Sequence, residues 1–201
     1  MRTATTVSSA SWMLTALSVS VAHAYLDGPD PWSTGAPGEV DCTDCHETYP
    51  LNSGDGSLAL LGVPDNYARG QTYRLQVRIE DPGQLVWGFQ LTALDGSDSA
   101  AGNLSTVQPV ETQIVEDTGR QYVMHTAAGN FADTPSGPVT WTFDWTAPGA
   151  NAGPITFYLA GNAGNNDEEE FKDYIYTVTG LTGAPVSIQQ RSWGQVKLQA
   201  R

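Results

Sequence analysis

From residue 57 onward the chain reads as short runs in which apolar and polar positions alternate. The clearest is Tyr73-Arg74-Leu75-Gln76-Val77-Arg78-Ile79, where the odd positions share one face and Arg74, Gln76 and Arg78 the other. Comparable runs rich in Val, Ile, Thr, Tyr, Phe and Trp lie at 58–63, 86–94, 111–115, 121–126, 139–145, 155–160, 174–178 and 186–189. Turn clusters separate them: Asp81-Pro82-Gly83, Asp95-Gly96-Ser97, Asp117-Thr118-Gly119, Pro135-Ser136-Gly137 and Pro148-Gly149. Many short strands at this spacing predict an all-β fold, an immunoglobulin-like antiparallel β-sandwich. Trp87, Phe89, Trp141, Phe143, Trp145, Phe157 and Tyr158 are candidates for its core or for contact with a cofactor.

Upstream the pattern is different. Residues 1–24 have Arg2 ahead of a mostly apolar stretch at 11–21 and then Ala22-His23-Ala24. That is the layout of a secretory signal peptide cut before Tyr25, and the apolar run is short for a membrane span. Residues 25–56 carry turn punctuation and no apolar period, so an irregular arm is expected there. The organisation expected is signal peptide 1–24, arm 25–56, sandwich 57–180 and a C-terminal extension or edge strand 181–201. Ser192-Trp193-Gly194-Gln195-Val196-Lys197 is read as a packed terminal strand. No later stretch is long and apolar enough for a transmembrane helix.

Charge narrows the partners. The chain has 22 acidic against 9 basic residues, net −13. Cutting the signal removes only Arg2 and leaves −14. Nucleic acid and anionic membrane are poor partners for such a chain, and a basic protein would be steered toward it. The run Asp167-Glu168-Glu169-Glu170 is read as a solvated loop rather than a calcium site, since it lacks EF-hand spacing.

The arm holds the chemistry. Cys42-Thr43-Asp44-Cys45-His46 is a C-x-x-C-H, the attachment pattern of c-type haem, and it uses both cysteines of the chain. The two thiols reach the two vinyl groups of one porphyrin, and the adjoining imidazole meets the iron as proximal ligand. A thioredoxin-like pair fits less well, because Asp41, Asp44 and Glu47 would raise the thiol pKa values. Zinc would need Cys42, Cys45, His46 and His125 together at unusual spacing. A disulfide closing so short a loop stabilises little and gives His46 no role. A short helical turn at 42–46 would bring the three residues together.

Beyond His46, a mature chain holds one other histidine, His125, and one methionine, Met124. They are adjacent in a predicted strand, so they point to opposite faces. His125 is the expected distal iron ligand, with Met124 as core filler and as the alternative ligand. Two imidazoles would leave no open site at the iron, which favours electron transfer over oxygen chemistry. Trp32, Tyr49, Leu51 and Tyr25 could cover one haem edge, the sandwich the rest. A ligand at His125 would make the haem a staple between arm and sheet.

These pieces resemble the choice-of-anchor V domain family, exported bacterial proteins in which a C-x-x-C-H segment precedes a reeler-like β-sandwich. The resemblance rests on Gly35-Ala36-Pro37-Gly38 before the motif, Trp87-Gly88-Phe89-Gln90-Leu91, residues 122–125, Phe143-Asp144-Trp145-Thr146-Ala147-Pro148, residues 153–162 and Asp173-Tyr174-Ile175-Tyr176. It spans roughly residues 25–180 and implies a periplasmic or cell-surface protein.

The expectation is therefore an exported monohaem c-type cytochrome that carries electrons to a redox partner or a neighbouring haem protein. No Ser/His/Asp or paired-carboxylate arrangement suggests an enzyme. The alternative is a surface or matrix interaction module, or a polymer-forming subunit stacking copies into a homo-oligomer or filament, in which haem or a disulfide mainly staples the fold.

Overall fold

The computed structural model describes residues 26–167 and 169–186, with the side chains of 184–186 outside that description. The signal peptide, Tyr25 and the tail with its expected strand beyond Val186 lie outside the described residues. Ten strands follow the arm: β1 Ser57–Leu61, β2 Asn66–Ala68, β3 Thr72–Glu80, β4 Val86–Asp95, β5 Asn103–Thr106, β6 Thr112–Asp117, β7 Arg120–His125, β8 Val139–Thr146, β9 Ile155–Gly164 and β10 Tyr174–Val186. They form a four-stranded sheet, β1-β3-β8-β5, and a six-stranded sheet, β2-β10-β9-β4-β7-β6. The expected all-β sandwich is present. All pairings are antiparallel except the short parallel contact of β10 with β2. β10 also runs on to Val186, past residue 180.

The core lies between the sheets. On β3, Leu75, Val77 and Ile79 are fully buried. On β8, Val139, Trp141, Phe143 and Trp145 alternate with half-buried residues. The tryptophans are buried without orphaned donors: Trp141 Nε1 donates to the Gly129 carbonyl at 2.7 Å, Trp145 Nε1 to Ala101 at 2.9 Å and Trp87 Nε1 to Thr134 at 3.1 Å. Of the seven aromatic core candidates, Tyr158 alone is only half-buried.

β4 is buried along nearly its whole length, on both faces. Trp87, Phe89, Leu91 and Ala93 point into the core. Gly88, Gln90, Thr92 and Leu94 therefore face the other way, and the arm crosses that outer face at Gln90. Gln90 accepts from Ser33 N–H at 2.8 Å and donates to the Asp30 carbonyl at 3.0 Å. Glu39 receives Arg120 and Tyr122 of β7. Further along, Asn52 N–H donates to the Ile175 carbonyl at 2.8 Å, and Tyr49 stacks on Tyr174 at 4.4 Å between ring centroids. The arm is thus a cover on the six-stranded sheet, tied to both halves of it.

Candidate functional site

A gap remains between the two tied halves of the arm. There a cavity of about 560 Å³ opens against the outer face of β4 and β9, a size ordinary for a small-molecule or cofactor site. Cys42, Cys45, His46 and His125 all line it, although His125 lies about eighty residues downstream of the motif.

The motif folds as a 3-10 turn over Cys42–Asp44. Asp41 caps it, its side chain accepting from Thr43 N–H at 2.8 Å, and His46 N–H donates to the Cys42 carbonyl at 3.0 Å. This tight winding places both sulfurs and the imidazole on one wall. His46 Nδ1 lies 2.8 Å from Asp173 Oδ2, and Asn162 Nδ2 is 3.3 Å from His46 Nε2.

His125 enters from the sheet itself. β7 pairs with β4 at Leu91↔Val123 and Gln90↔Met124, and there the ladder opens. The His125 ring occupies the position of the next backbone pair, with Nδ1 3.1 Å from Phe89 N and 3.3 Å from Phe89 O. Gly88 makes this possible: a Cβ there would stand 2.7 Å from His125 Cε1. Gly88 and Asn162 are direct cross-strand partners. One imidazole thus lies against each member of a single pair on neighbouring strands, which run about 4.8 Å apart.

Met124 does not share this wall. It is buried, yet it belongs to the outer face under the arm and not to the core between the sheets. A Cβ at Gly28, whose φ is +93°, would come 2.8 Å from Met124 Sδ and 2.7 Å from the His125 carbonyl. The expectation of Met124 as core filler is corrected accordingly: alternation sends it to the sheet face opposite the core, and the arm hides it there. The arm aromatics are also elsewhere. Trp32 packs beside Tyr122 with the Arg120 guanidinium 4.7 Å over its ring, while Tyr49 sits on Tyr174, so Leu26, Pro29 and Val40 supply the arm's apolar lining.

The lining is acidic. Asp30, Asp41, Asp44, Glu169, Glu170 and Asp173 contribute to it, and among the described residues no lysine or arginine does. The acidic loop read as plain solvated surface thus forms part of the cavity mouth. Burial, and then the charge of Asp41, push the Cys42 thiol up to about 12. Cys45 is also raised, by desolvation first and then by Asp44, Glu170, Asp30 and Glu47. These shifts oppose a reactive thiolate of the thioredoxin kind. Among the described residues no group of three or more His, Cys, Asp or Glu is gathered closely enough to hold a bare metal ion. The four donors are spread around a space, as a large ligand requires and a zinc ion does not.

The Cys42 shift carries a measurable consequence. At pH 8 its thiolate fraction lies on the order of a thousandfold below that of an unperturbed thiol. Alkylation of Cys42 in haem-free protein, followed by peptide mass mapping, should be slower by at least that factor and should still be accelerating above pH 10. A rate like that of free cysteine at pH 8 would contradict the geometry of the turn.

No protein-family model matches the chain, and no curated protein matches it. Solved structures do. The human F-spondin reeler domain aligns at 22% identity with TM-score 0.43, covering 68% of this chain and 94% of that one. The Reelin-N domain of F-spondin aligns at 21% and 0.46, covering 72% and 97%. A cohesin module from a Clostridium perfringens family 33 glycoside hydrolase aligns at 12% and 0.44, covering 65% and 95%. At these TM-scores the likeness carries no argument about the chain. The chain is an all-β sandwich with a cavity-bearing arm folded over its six-stranded sheet.

Proposed function

We propose that this chain is an exported electron carrier holding one covalent haem c between the arm and the sheet. Cys42 and Cys45 are its thioether anchors, His46 its proximal ligand and His125 its distal ligand. The observation that carries the reading is the convergence of these four residues on one cavity. The Gly88 clearance beside the His125 ring adds to it.

Haem supplies one-electron chemistry when bound. The chain's own residues do the rest. The capped turn fixes the two sulfurs and His46 as a unit. His125 Nδ1 lies 3.3 Å from the Phe89 carbonyl, and donating to it would leave Nε2 as the ring nitrogen to meet iron. Val86 on the sheet and Leu26, Pro29 and Val40 on the arm give an apolar lining that limits water. The six carboxylates favour the more positive ferric state, so a low reduction potential is expected. With its net charge of −13 the chain suits a basic redox partner.

A surface or matrix interaction module is the second reading. Leu26 and Val40 at the cavity, with Phe171 in the loop beside it, are 56%, 48% and 55% exposed, and apolar surface of this kind serves contact as well as electron exchange. The staple role is the weaker part of that reading, because Glu39, Gln90 and Asn52 already tie down the arm.

Export in a host with c-type maturation is the direct test. The wild-type protein should stain for haem on a denaturing gel and show a reduced α-band, and Cys42→Ala with Cys45→Ala should lose both. Wild-type protein recovered with both thiols free would overturn the haem reading. A haem that is attached but does not cycle with a soluble mediator would favour the interaction module.

A further inference from the structure

We propose that Asp173 is a positioning residue for His46, fixing its tautomer and lowering the reduction potential of the site; this rests on the haem reading above. Asp173 directly precedes β10 and is 4% exposed. Its two oxygens have separate tasks. Oδ1 accepts from Asn165 N–H at 3.2 Å, which anchors the carboxylate to the loop. Oδ2 stands 2.8 Å from His46 Nδ1. The ring N–H is not aligned on that oxygen as in an ideal hydrogen bond, but among the described residues no other acceptor competes for Nδ1.

The surroundings are built for this contact. A Cβ at Gly164 would lie 2.7 Å from Val86 Cγ1 and 3.2 Å from Asp173 Oδ1, so glycine leaves room for both side chains. Lys172 N–H donates to Thr48 Oγ1 at 3.0 Å, which binds the strand entry to the arm two residues past His46. On the far side of the ring, Asn162 Nδ2 donates toward Nε2 at 3.3 Å. Carboxylate at Nδ1 and amide donor at Nε2 assign the same tautomer, with the proton on Nδ1 and the Nε2 lone pair exposed to the cavity wall. A carboxylate partner on the second nitrogen makes an imidazole a stronger donor to metal, which favours the higher oxidation state.

The test uses Asp173→Asn, which keeps an oxygen for Asn165 N–H and removes the charge, with Asp173→Glu as the charge-preserving control. In haem-loaded protein, Asp173→Asn should shift the ferric-to-ferrous ratio at a fixed potential by roughly tenfold toward ferrous, about 59 mV upward for one electron. Asp173→Glu should stay nearer the wild type. In the haem-free full-length protein, nitrogen-15 NMR of His46 at pH 8 should show the Nδ1–H tautomer in the wild type and its loss of dominance in Asp173→Asn. If haem is attached and both readouts are unchanged by Asp173→Asn, the proposal is overturned while the haem reading stands. If the wild type takes up no haem, that reading fails instead, and the NMR measurement alone decides whether Asp173 sets the His46 tautomer.

Discussion

Replacing His125 by alanine should leave the haem covalently attached and abolish its six-coordinate low-spin spectrum. On the proposed haem reading, attachment would depend on Cys42 and Cys45 in the arm, whose turn is capped locally by Asp41 and owes nothing to β7. Ligation would depend on a ring delivered by β7 into the gap where its ladder with β4 opens. Met124 cannot take over, because it faces the arm beneath Gly28 and does not line the cavity. The variant should therefore become high-spin or pick up water or an added ligand such as imidazole. It should also be less stable by about 1–3 kcal/mol, since the buried Phe89 carbonyl loses the imidazole N–H that would donate to it. Visible and magnetic circular dichroism spectra of wild type and variant make the comparison. An unchanged low-spin spectrum would remove His125 from the site.

The largest loss of stability is expected from Glu39→Ala, at about 3–5 kcal/mol. The Glu39 carboxylate is fully shielded and Arg120 is nearly so, with side-chain exposures of 0% and 11%. Oε1 accepts from Arg120 Nη1 at 2.5 Å and from the Tyr122 hydroxyl at 2.8 Å, while Oε2 accepts from Thr34. Burial, and secondarily Glu39, raise the Tyr122 phenol above its ordinary range, so the hydroxyl is a firm donor at neutral pH. Truncation strands a guanidinium that is packed over Trp32 and held by the Pro37 and Asp98 carbonyls. Because Glu39 sits in the arm and Arg120 in the sheet, the loss should open the cavity wall as well as lower the midpoint of unfolding. Urea denaturation measures the fall in the midpoint, and the low-spin spectrum of haem-loaded protein the opening of the wall. A change below about 1 kcal/mol would show that the cluster is no more than a surface pair.

How much of this was legible in the chain depends on whether the deciding partner was local. The alternation on β3 and β8 was legible because a strand facing one core writes its inward residues at every second position. β2 and β5 were not, because three and four residues carry no readable period, and their neighbours β10 and β8 hold them in place. The strand ends at 126 and 160 shifted for the same reason, with β7 stopping at His125 and β9 continuing to Gly164 under pairing from β10 and β4.

The site divides the same way. The motif at 42–46 and the scarcity of other histidines and methionines pointed to Cys42, Cys45, His46 and His125 without any structure. Gly88, Asn162, Asp173 and Glu39 gave no signal, since a glycine in a strand or a lone carboxylate means something only beside its partner. Asn162 and Asp173 meet His46 across more than a hundred residues of chain.

The sequence by itself determined the strand-rich class, the acidic balance and which residues are candidate donors, because these follow from composition and motif spacing. Only the tertiary structure decided that the arm lies over the six-stranded sheet, that His125 rather than Met124 reaches the cavity, and that acidic side chains ring it. The reason is physical: which face of a strand is covered, and which charge is left facing which ring, is set by packing between segments far apart in the chain.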